Sequence, residues 1–278
     1  MELIKTIREV KQFIDFQRKN NKKTGFVPTM GALHKGHLSL IKKASIENDF
    51  VVVSIFVNPV QFNDPEDYKR YPRNLDEDMK KLTNSHVDLV FAPSVEEMYP
   101  EPDTRKFDFG VAEKVMEGKF RPGHFNGVAI VVSRLFDIIK PERAYFGEKD
   151  FQQLVIIRLM TRMLDFPVEI VPCPIIREKD GLAMSSRNVL LTPVQRDIAP
   201  AISKILSHAK MLSGSYTPQE VKNWVTEQIE KIPEMELDYF EIADINDLHS
   251  IDDWKKGAIG CIAVFLGKIR LIDNIIFR

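Results

Sequence analysis

His34 and His37 stand three apart in the run Pro28-Thr-Met-Gly-Ala-Leu-His-Lys-Gly-His37, with Gly31 ahead of them and Gly36 between them. That spacing puts both imidazoles on one face at the start of a helix. Glycine lets a backbone come close to a ligand, and the N–H groups of a first helical turn attract anions. The chemistry on offer is a grip on a phosphate. Two surface histidines or a zinc site are the competing readings, and zinc would need a third ligand that no Cys/His cluster in the sequence supplies.

Four further polar groupings could join such a site. Asn58 and Gln61 follow the most apolar run of the chain, where side chains leave the carboxyl end of a sheet; they are either substrate ligands or parts of a turn capped by Asn58. Arg121-Pro-Gly-His-Phe-Asn-Gly127 puts a cation and a histidine just before a helix, as a loop over a ligand or as a surface turn. Residues 146–153, Phe-Gly-Glu-Lys-Asp-Phe-Gln-Gln, repeat the order of strand, glycine turn and helix. Lys149 would there meet a phosphate at the helix start and Gln153 would face a cleft; in the other reading Asp150 is a cap and Lys149 a solvated charge. Met184-Ser-Ser-Arg-Asn188 joins two hydroxyls to a guanidinium, good donors for phosphate oxygens, in what should be a mobile loop.

These groups need elements to hold them. Thr6-Ile-Arg-Glu9 resembles a capping box and opens a helix with Val10, Phe13 and Ile14 on one face. Strand-like runs follow at 25–28, 50–57, 87–92, 143–146 and 168–171, separated by helical spacing at about 36–47, 75–84, 124–138 and 150–164. Asp64-Pro65 reads as one more helix start. A continuous apolar strand such as 51–57 fits a sheet covered on both faces, so a doubly wound parallel α/β sheet is expected over residues 1–176.

The pattern then changes. Thr192-Pro-Val-Gln195 and Thr217-Pro-Gln-Glu220 each offer an N-cap, a proline at N1 and a Gln or Glu at N3. Strands at 237–243, 261–266 and 269–272 follow, the last two joined by Gly267-Lys268 as an antiparallel hairpin. A smaller α+β domain is expected over 177–278.

Composition narrows the partners. The 278 residues are 44% hydrophobic with a formal net charge of -1, and no block of Lys or Arg suggests a nucleic-acid groove. Cys173 and Cys261 lie far apart without a motif, as packing residues in a reducing compartment do. The amino terminus mixes charge into every turn and the 50–57 run is too short to span a bilayer, so no membrane partner and a cytoplasmic location are expected.

Together the early H-x-G-H element and the late, KMSKS-like Met-Ser-Ser-Arg loop are similar to the two ATP-binding signatures of one nucleotidyltransferase superfamily. The blocks 28–37, 58–62, 121–124, 146–153 and 184–188, in that order, resemble the pantothenate synthetase (pantoate–β-alanine ligase) family along nearly the whole chain. The carboxy-terminal third carries little motif and rests on length and order. The resemblance implies a Rossmann-like domain at 1–176 that binds ATP and pantoate, with 177–278 and its 184–188 loop acting as a lid. It implies a two-step ligase in which pantoate and ATP give pantoyl adenylate and pyrophosphate, and β-alanine then displaces AMP to give pantothenate. ATP with Mg²⁺ is the cofactor set implied, and the sequence points to no residue as the metal's ligand.

The same resemblance assigns Met30, Gly31, Ala32, Leu33, His34, Lys35, Gly36 and His37 to one wall of the ATP site. It gives Gly147, Glu148, Lys149 and Asp150 to the nucleotide, Ile176 to the adenine side, and Met184, Ser185, Ser186 and Arg187 to the phosphates. His37 is implied as proton donor, with His34 and Lys149 as its catalytic companions. Gln61 is implied for pantoate and β-alanine and Gln153 for pantoate, with Asn58 a further candidate. A homodimer is implied as well, with the apolar 50–57 run as a contributor to its interface. The alternative is a nucleotidyltransferase of the same superfamily acting on a phosphorylated acceptor. Neutral Gln61 and Gln153 speak against it, because such an acceptor favours extra cations. A tRNA-binding module fits poorly with the near-zero charge, and only turnover separates a catalytically dead nucleotide-binding protein.

Overall fold

Thirteen residues from Ile7 to Lys19 form the first helix because Thr6 accepts the Glu9 N–H and Val10 and Ile14 share a buried face. The same logic of caps and apolar faces runs through the chain. A computed structural model describes residues 1–254 and 257–277. In chain order the first elements are β1 (Glu2–Ile4), α1 (Ile7–Lys19), β2 (Thr24–Thr29), α2 (Lys35–Glu47), β3 (Phe50–Ile55), α3 (Pro65–Arg70), α4 (Leu75–Leu82) and β4 (Leu89–Phe91). There follow α5 (Val95–Met98), α6 (Glu117–Phe120), α7 (His124–Ile139), β5 (Arg143–Gly147), α8 (Phe151–Met163) and β6 (Glu169–Cys173). The remainder is α9 (Pro193–Ile198), α10 (Ala201–Leu212), α11 (Pro218–Glu230), β7 (Met235–Asp244), β8 (Ala258–Leu266) and β9 (Ile269–Ile276).

The chain divides into two compact units. The first comprises Met1–Phe109, Arg121–Glu148 and Ile156–Pro174; the second comprises Gly110–Phe120, Lys149–Val155 and Ile175–Arg278. Contacts therefore do not divide at a single sequence position near 176, because two short upstream segments fold with the carboxy-terminal run.

The first unit is built on a parallel sheet in the order β1-β4-β3-β2-β5-β6. β2, β3 and β4 progress to one side and β5 and β6 to the other, so the direction of winding reverses between β2 and β5. Ligands of doubly wound sheets bind at the carboxyl ends of the strands at such a reversal. The H-x-G-H run follows β2 and Gly147 ends β5, so both flank it. Val51, Val52 and Val53 of β3 are buried between neighbours on both sides. Residues 50–54 are thus taken up by the core, while Ile55 and Val57 of the same run are half-buried. β1 was not expected. It is a three-residue edge strand whose partner, β4, lies far along the chain.

The second unit carries an antiparallel sheet in the order β7-β8-β9, with the hairpin turning at Gly267. Ile262, Val264 and Leu271 of this sheet pack with Ile202, Leu206, Val221 and Val225 of α10 and α11. Thr192 and Thr217 both make full capping boxes. The helix opened by Thr192 stops at Ile198, and α10 begins after Pro200 without a side-chain cap, so one start signal serves two helices.

What positions the candidate site is the turn between β2 and α2. Gly31 and Ala32 both have left-handed φ, +81° and +50°, and the Ala32 conformation costs on the order of 1 kcal/mol or more. Buried Asp78 on α4 holds it. Its Oδ2 accepts the Ala32 N–H at 2.9 Å, its Oδ1 accepts the Leu33 N–H at 2.7 Å, and Lys81 Nζ donates to the Leu33 carbonyl at 2.8 Å. Thr29 completes the hold by accepting the Gly31 N–H and donating to the Ser54 carbonyl.

Asp78→Ala leaves the buried Leu33 N–H and the part-buried Ala32 N–H without an acceptor and should lower the unfolding free energy by about 2–3 kcal/mol in urea titrations, with Asp78→Asn falling between it and the wild type. Gly127 on α7 is a second close approach. An added Cβ would lie 2.6 Å from the Val60 carbonyl oxygen and 2.7 Å from Gln61 Cα, both backbone atoms. Gly127→Ala gains about 1 kcal/mol of helix propensity but should lose about 2–3 kcal/mol to overpacking, a net destabilisation visible as an earlier urea midpoint.

Candidate active site

Local sequence explains the first part of the site. His34 is the N-cap of α2 with extended backbone and does not lie in the helix, so the two histidines do not meet as a pair on one helical face. They meet through a capping box. The Gly36 N–H donates to His34 Nδ1 at 3.1 Å, the His34 N–H donates to His37 Nδ1 at 3.3 Å, and the ring centroids are 4.1 Å apart. A ring nitrogen that accepts from a backbone N–H carries no proton, so a neutral imidazole here holds its proton on Nε2. Both rings are thereby set as Nε2–H donors. Some of the first-turn N–H groups expected to meet an anion directly are used by the rings instead.

The second part is the turn after β3. Pro59–Gln61 form a single 3₁₀ turn with Asn58 as N-cap. Asn58 is buried, and its side chain is saturated: Nδ2 donates to Gln61 Oε1 and to the Gly127 carbonyl, both at 3.1 Å, while Oδ1 accepts from Tyr99 Oη at 2.9 Å and from the Val60 N–H at 3.3 Å. Burial pushes the Tyr99 phenol up, with the Asp103 charge adding to it, so Tyr99 stays the donor. This is the capping reading of Asn58, and it leaves no side-chain donor or acceptor for a substrate. Gln61 is buried too, and its Nε2 reaches Met30 Sδ at 3.1 Å. Thioether sulfur is a weak acceptor that a substrate oxygen would readily replace.

His124 supports the same turn. The Gln61 carbonyl can only accept, so His124 Nδ1 donates to it at 2.8 Å, leaving Nε2 to accept from Arg121 Nη1 at 3.3 Å. His124, at the start of α7, thus braces the Gln61 main chain, and Arg121 in the turn ahead of it hydrogen-bonds His124. A cleft of about 280 Å³ borders the Met30–Gly31 turn and is lined also by Phe56, Tyr68 and Asp78.

In the second unit Lys149 lies in a 3₁₀ turn ahead of α8, its side chain 18% exposed and its Nζ 3.8 Å from Asp150 Oδ1. Of the two glutamines that follow, Gln152 is buried and structural: it accepts the Glu117 N–H and donates to the carbonyls of Ala112 and Val115. Gln153 is half-buried in the first turn of α8. The 184–188 segment, expected as a mobile loop, is a 3₁₀ turn capped by Ser185, which accepts the Arg187 N–H at 3.2 Å. The Met184 N–H donates to the Ile176 carbonyl at 2.9 Å, so the two positions are one structural piece.

Sequence reasoning missed Asp78, Tyr99 and the bracing role of His124. Asp78 did leave a signal: with Leu75 and Leu82 it occupies the i, i+3, i+7 stripe of α4, where a carboxylate on a buried face needs a partner. Among the described residues no group of three His, Cys, Asp or Glu could hold a metal ion, and no helix is long and apolar enough to cross a membrane.

Known proteins resemble this chain over nearly its whole length. Residues 2–276 match the pantoate–β-alanine ligase family. The chain is 54% identical over 277 residues to a pantothenate synthetase of Porphyromonas gingivalis, with 99% of each chain covered. It is 49% identical over 279 residues to one from Thermotoga neapolitana, again with 99% of each covered. Among solved structures it superposes on pantothenate synthetase from Thermus thermophilus with a TM-score of 0.94 at 47% identity, covering 99% of each chain. It also superposes on the pantoate–β-alanine ligase of Francisella tularensis, solved as a complex with β-γ ATP and β-alanine, with a TM-score of 0.84 at 38% identity, covering 100% of this chain and 98% of that one. Over nearly its whole length, then, this chain belongs to the pantoate–β-alanine ligase family.

Proposed function

We propose that the protein condenses pantoate with β-alanine at the expense of ATP, through pantoyl adenylate, and so makes pantothenate. One observation carries the substrate identity, the match to the ligase family over residues 2–276. The donor set suits the chemistry. A pantoate carboxylate oxygen bonds to the α-phosphorus of ATP as the bond to pyrophosphate breaks, and negative charge grows on the phosphate oxygens. Preorganised donors serve that step better than a covalent nucleophile. The Nε2–H groups of His34 and His37 are held for it by the capping box. In this reading Met30 to His37, Gly147 to Asp150, Ile176 and Met184 to Arg187 contact the nucleotide, with His37 giving a proton and Lys149, Ser185, Ser186 and Arg187 holding phosphate oxygens.

In the second step the β-alanine amine bonds to the acyl carbon, AMP leaves with the C–O bond pair, and the amine gives up a proton. Gln61 and Gln153 bind the pantoate hydroxyl and carboxylate groups, and Gln61 also meets β-alanine, since an amide both donates and accepts. Magnesium would enter with ATP and offset charge on the phosphate oxygens. The protein works in the cytoplasm as a homodimer.

Incubation with ATP, Mg²⁺, pantoate and β-alanine should release AMP only when both substrates are present; a stable nucleotide conjugate in place of AMP would favour transfer to a phosphorylated acceptor. His37→Ala and Lys149→Ala should each stay folded and lose about 3 kcal/mol of transition-state stabilisation in pantoate-dependent pyrophosphate exchange. Exchange at wild-type rate in both would overturn the assigned roles. Sedimentation should give twice the chain mass of 32.0 kDa, and the monomer mass would remove the dimer.

A further inference from the structure

Two polar side chains on β9 remain without a role in the reaction, and both are deeply buried. Asp273 and Asn274 are each 4% exposed and adjacent, so they project from opposite faces of the small sheet. Asp273 lies on the face of Leu271, which packs with the core of α10 and α11. Its carboxylate takes a two-point grip from Arg177, Nη1 to Oδ2 at 2.6 Å and Nη2 to Oδ1 at 3.0 Å. Arg177 Nη1 also donates to the Gly181 carbonyl at 3.1 Å, and Arg177 bridges Ala183 across a narrow loop. Fixing Arg177 therefore fixes the loop that runs from Ile176 to Met184 and delivers Ser185, Ser186 and Arg187.

On the other face, Asn274 Nδ2 donates to the main-chain carbonyl of Lys149 at 2.9 Å. The two grips are coupled, because the Asn274 N–H donates to Asp273 Oδ1 at 2.8 Å. A stretch of two residues thus holds two segments that are far apart in sequence and are both phosphate-binding in the reading above.

We infer that Asp273 and Asn274 are positioning residues that set the Lys149 turn and the 176–187 segment in one fixed relation for the triphosphate. Stability alone does not explain the pair, since apolar side chains of similar volume commonly serve a buried site as well as a buried ion pair does. Geometry does explain it. A bidentate Arg–carboxylate pair fixes angle as well as distance, and misplacing a catalytic group by about 1 Å can cost on the order of a hundredfold in rate. The inference rests on the proposed ligase function, because it needs Lys149 and Arg187 to meet ATP.

The test is a double-mutant cycle on the full chain, read by pantoate-dependent pyrophosphate exchange and by the KM for ATP and for pantoate. Asn274→Asp keeps the shape and replaces the donor with an acceptor facing the Lys149 carbonyl. It should raise the KM for ATP and lower exchange by about tenfold, yet add less than about twofold in the Lys149→Ala background, because residues acting as one unit are not additive. The KM for pantoate should stay within about twofold of wild type. Asp273→Asn should show the same dependence on Arg187→Ala. Asn274→Ser, with a donor on a shorter arm, is read beside these so that a poorly folding carboxylate variant still leaves an answer, and it should lose less than Asn274→Asp. Equal penalties in both backgrounds, or a parallel rise in the KM for pantoate, would overturn the inference while leaving the ligase function standing. A wild-type chain that releases no AMP overturns both.

Discussion

The carboxylate of Asp78 is the acceptor on which the rest of the site depends. Between β2 and α2 the chain must leave a buried strand, reverse, and enter a helix within a few residues, and it does so through two successive left-handed positions, Gly31 and Ala32. That conformation turns the N–H groups of Ala32 and Leu33 away from any strand or helix partner. Left unmet, the buried Leu33 N–H would cost on the order of 1–3 kcal/mol and the part-buried Ala32 N–H less. One side chain from α4 meets both. The energy recovered exceeds the strain at Ala32, which is why a non-glycine residue can hold that backbone and why His34 arrives at the N-cap in the one conformation that closes the capping box.

From that turn the electrostatic character of the site follows. Backbone N–H groups that could meet an anion are spent on Nδ1 atoms, and the rings offer Nε2–H in exchange. A ring donor reaches further than a backbone N–H and can transfer a proton as well as hydrogen-bond, which suits a step in which charge grows on phosphate oxygens. The Asn58–Gln61 turn shows the same economy: Asn58, itself held by Tyr99 and Gly127, donates to the Gln61 side-chain oxygen, His124 holds the Gln61 main-chain carbonyl, and the Gln61 amide nitrogen is left with the weak acceptor Met30 sulfur. Rigid support around an exchangeable partner is how a polar pocket rejects analogues lacking a hydroxyl, by as much as about 10⁴-fold.

Much of the fold was legible in the sequence. Helix starts at Thr6, Thr192 and Thr217, the apolar β3 and the Gly267 hairpin are local statements, carried by periodicity, caps and turn chemistry within a window of about ten residues. The H-x-G-H run, Lys149 and the Ser-Ser-Arg turn could be read for the same reason. What escaped was long-range. β1 is three residues with charge among them and becomes a strand only beside β4. Asn58 could be read as a ligand or a cap, because its partners Tyr99 and Gly127 are not neighbours in sequence. The turn at 184–188 was not legible because the atoms that bond it, on Ile176 and Ala183, act through the backbone.

The sequence by itself determined which residue types could grip a phosphate, where the chain turns, and which family it resembles, because each of these is written in short runs of adjacent residues. Only the tertiary structure decided that Nδ1 of each histidine accepts from the backbone, that Asn58 caps its turn while bonding Gln61, Gly127 and Tyr99, and that Asp78, Asp273 and Asn274 each hold a turn carrying candidate residues. The reason is that a buried polar atom must find its partner in space. That partner, for Asp78, Asn58 and Asn274 alike, lies on a segment 45 or more residues away.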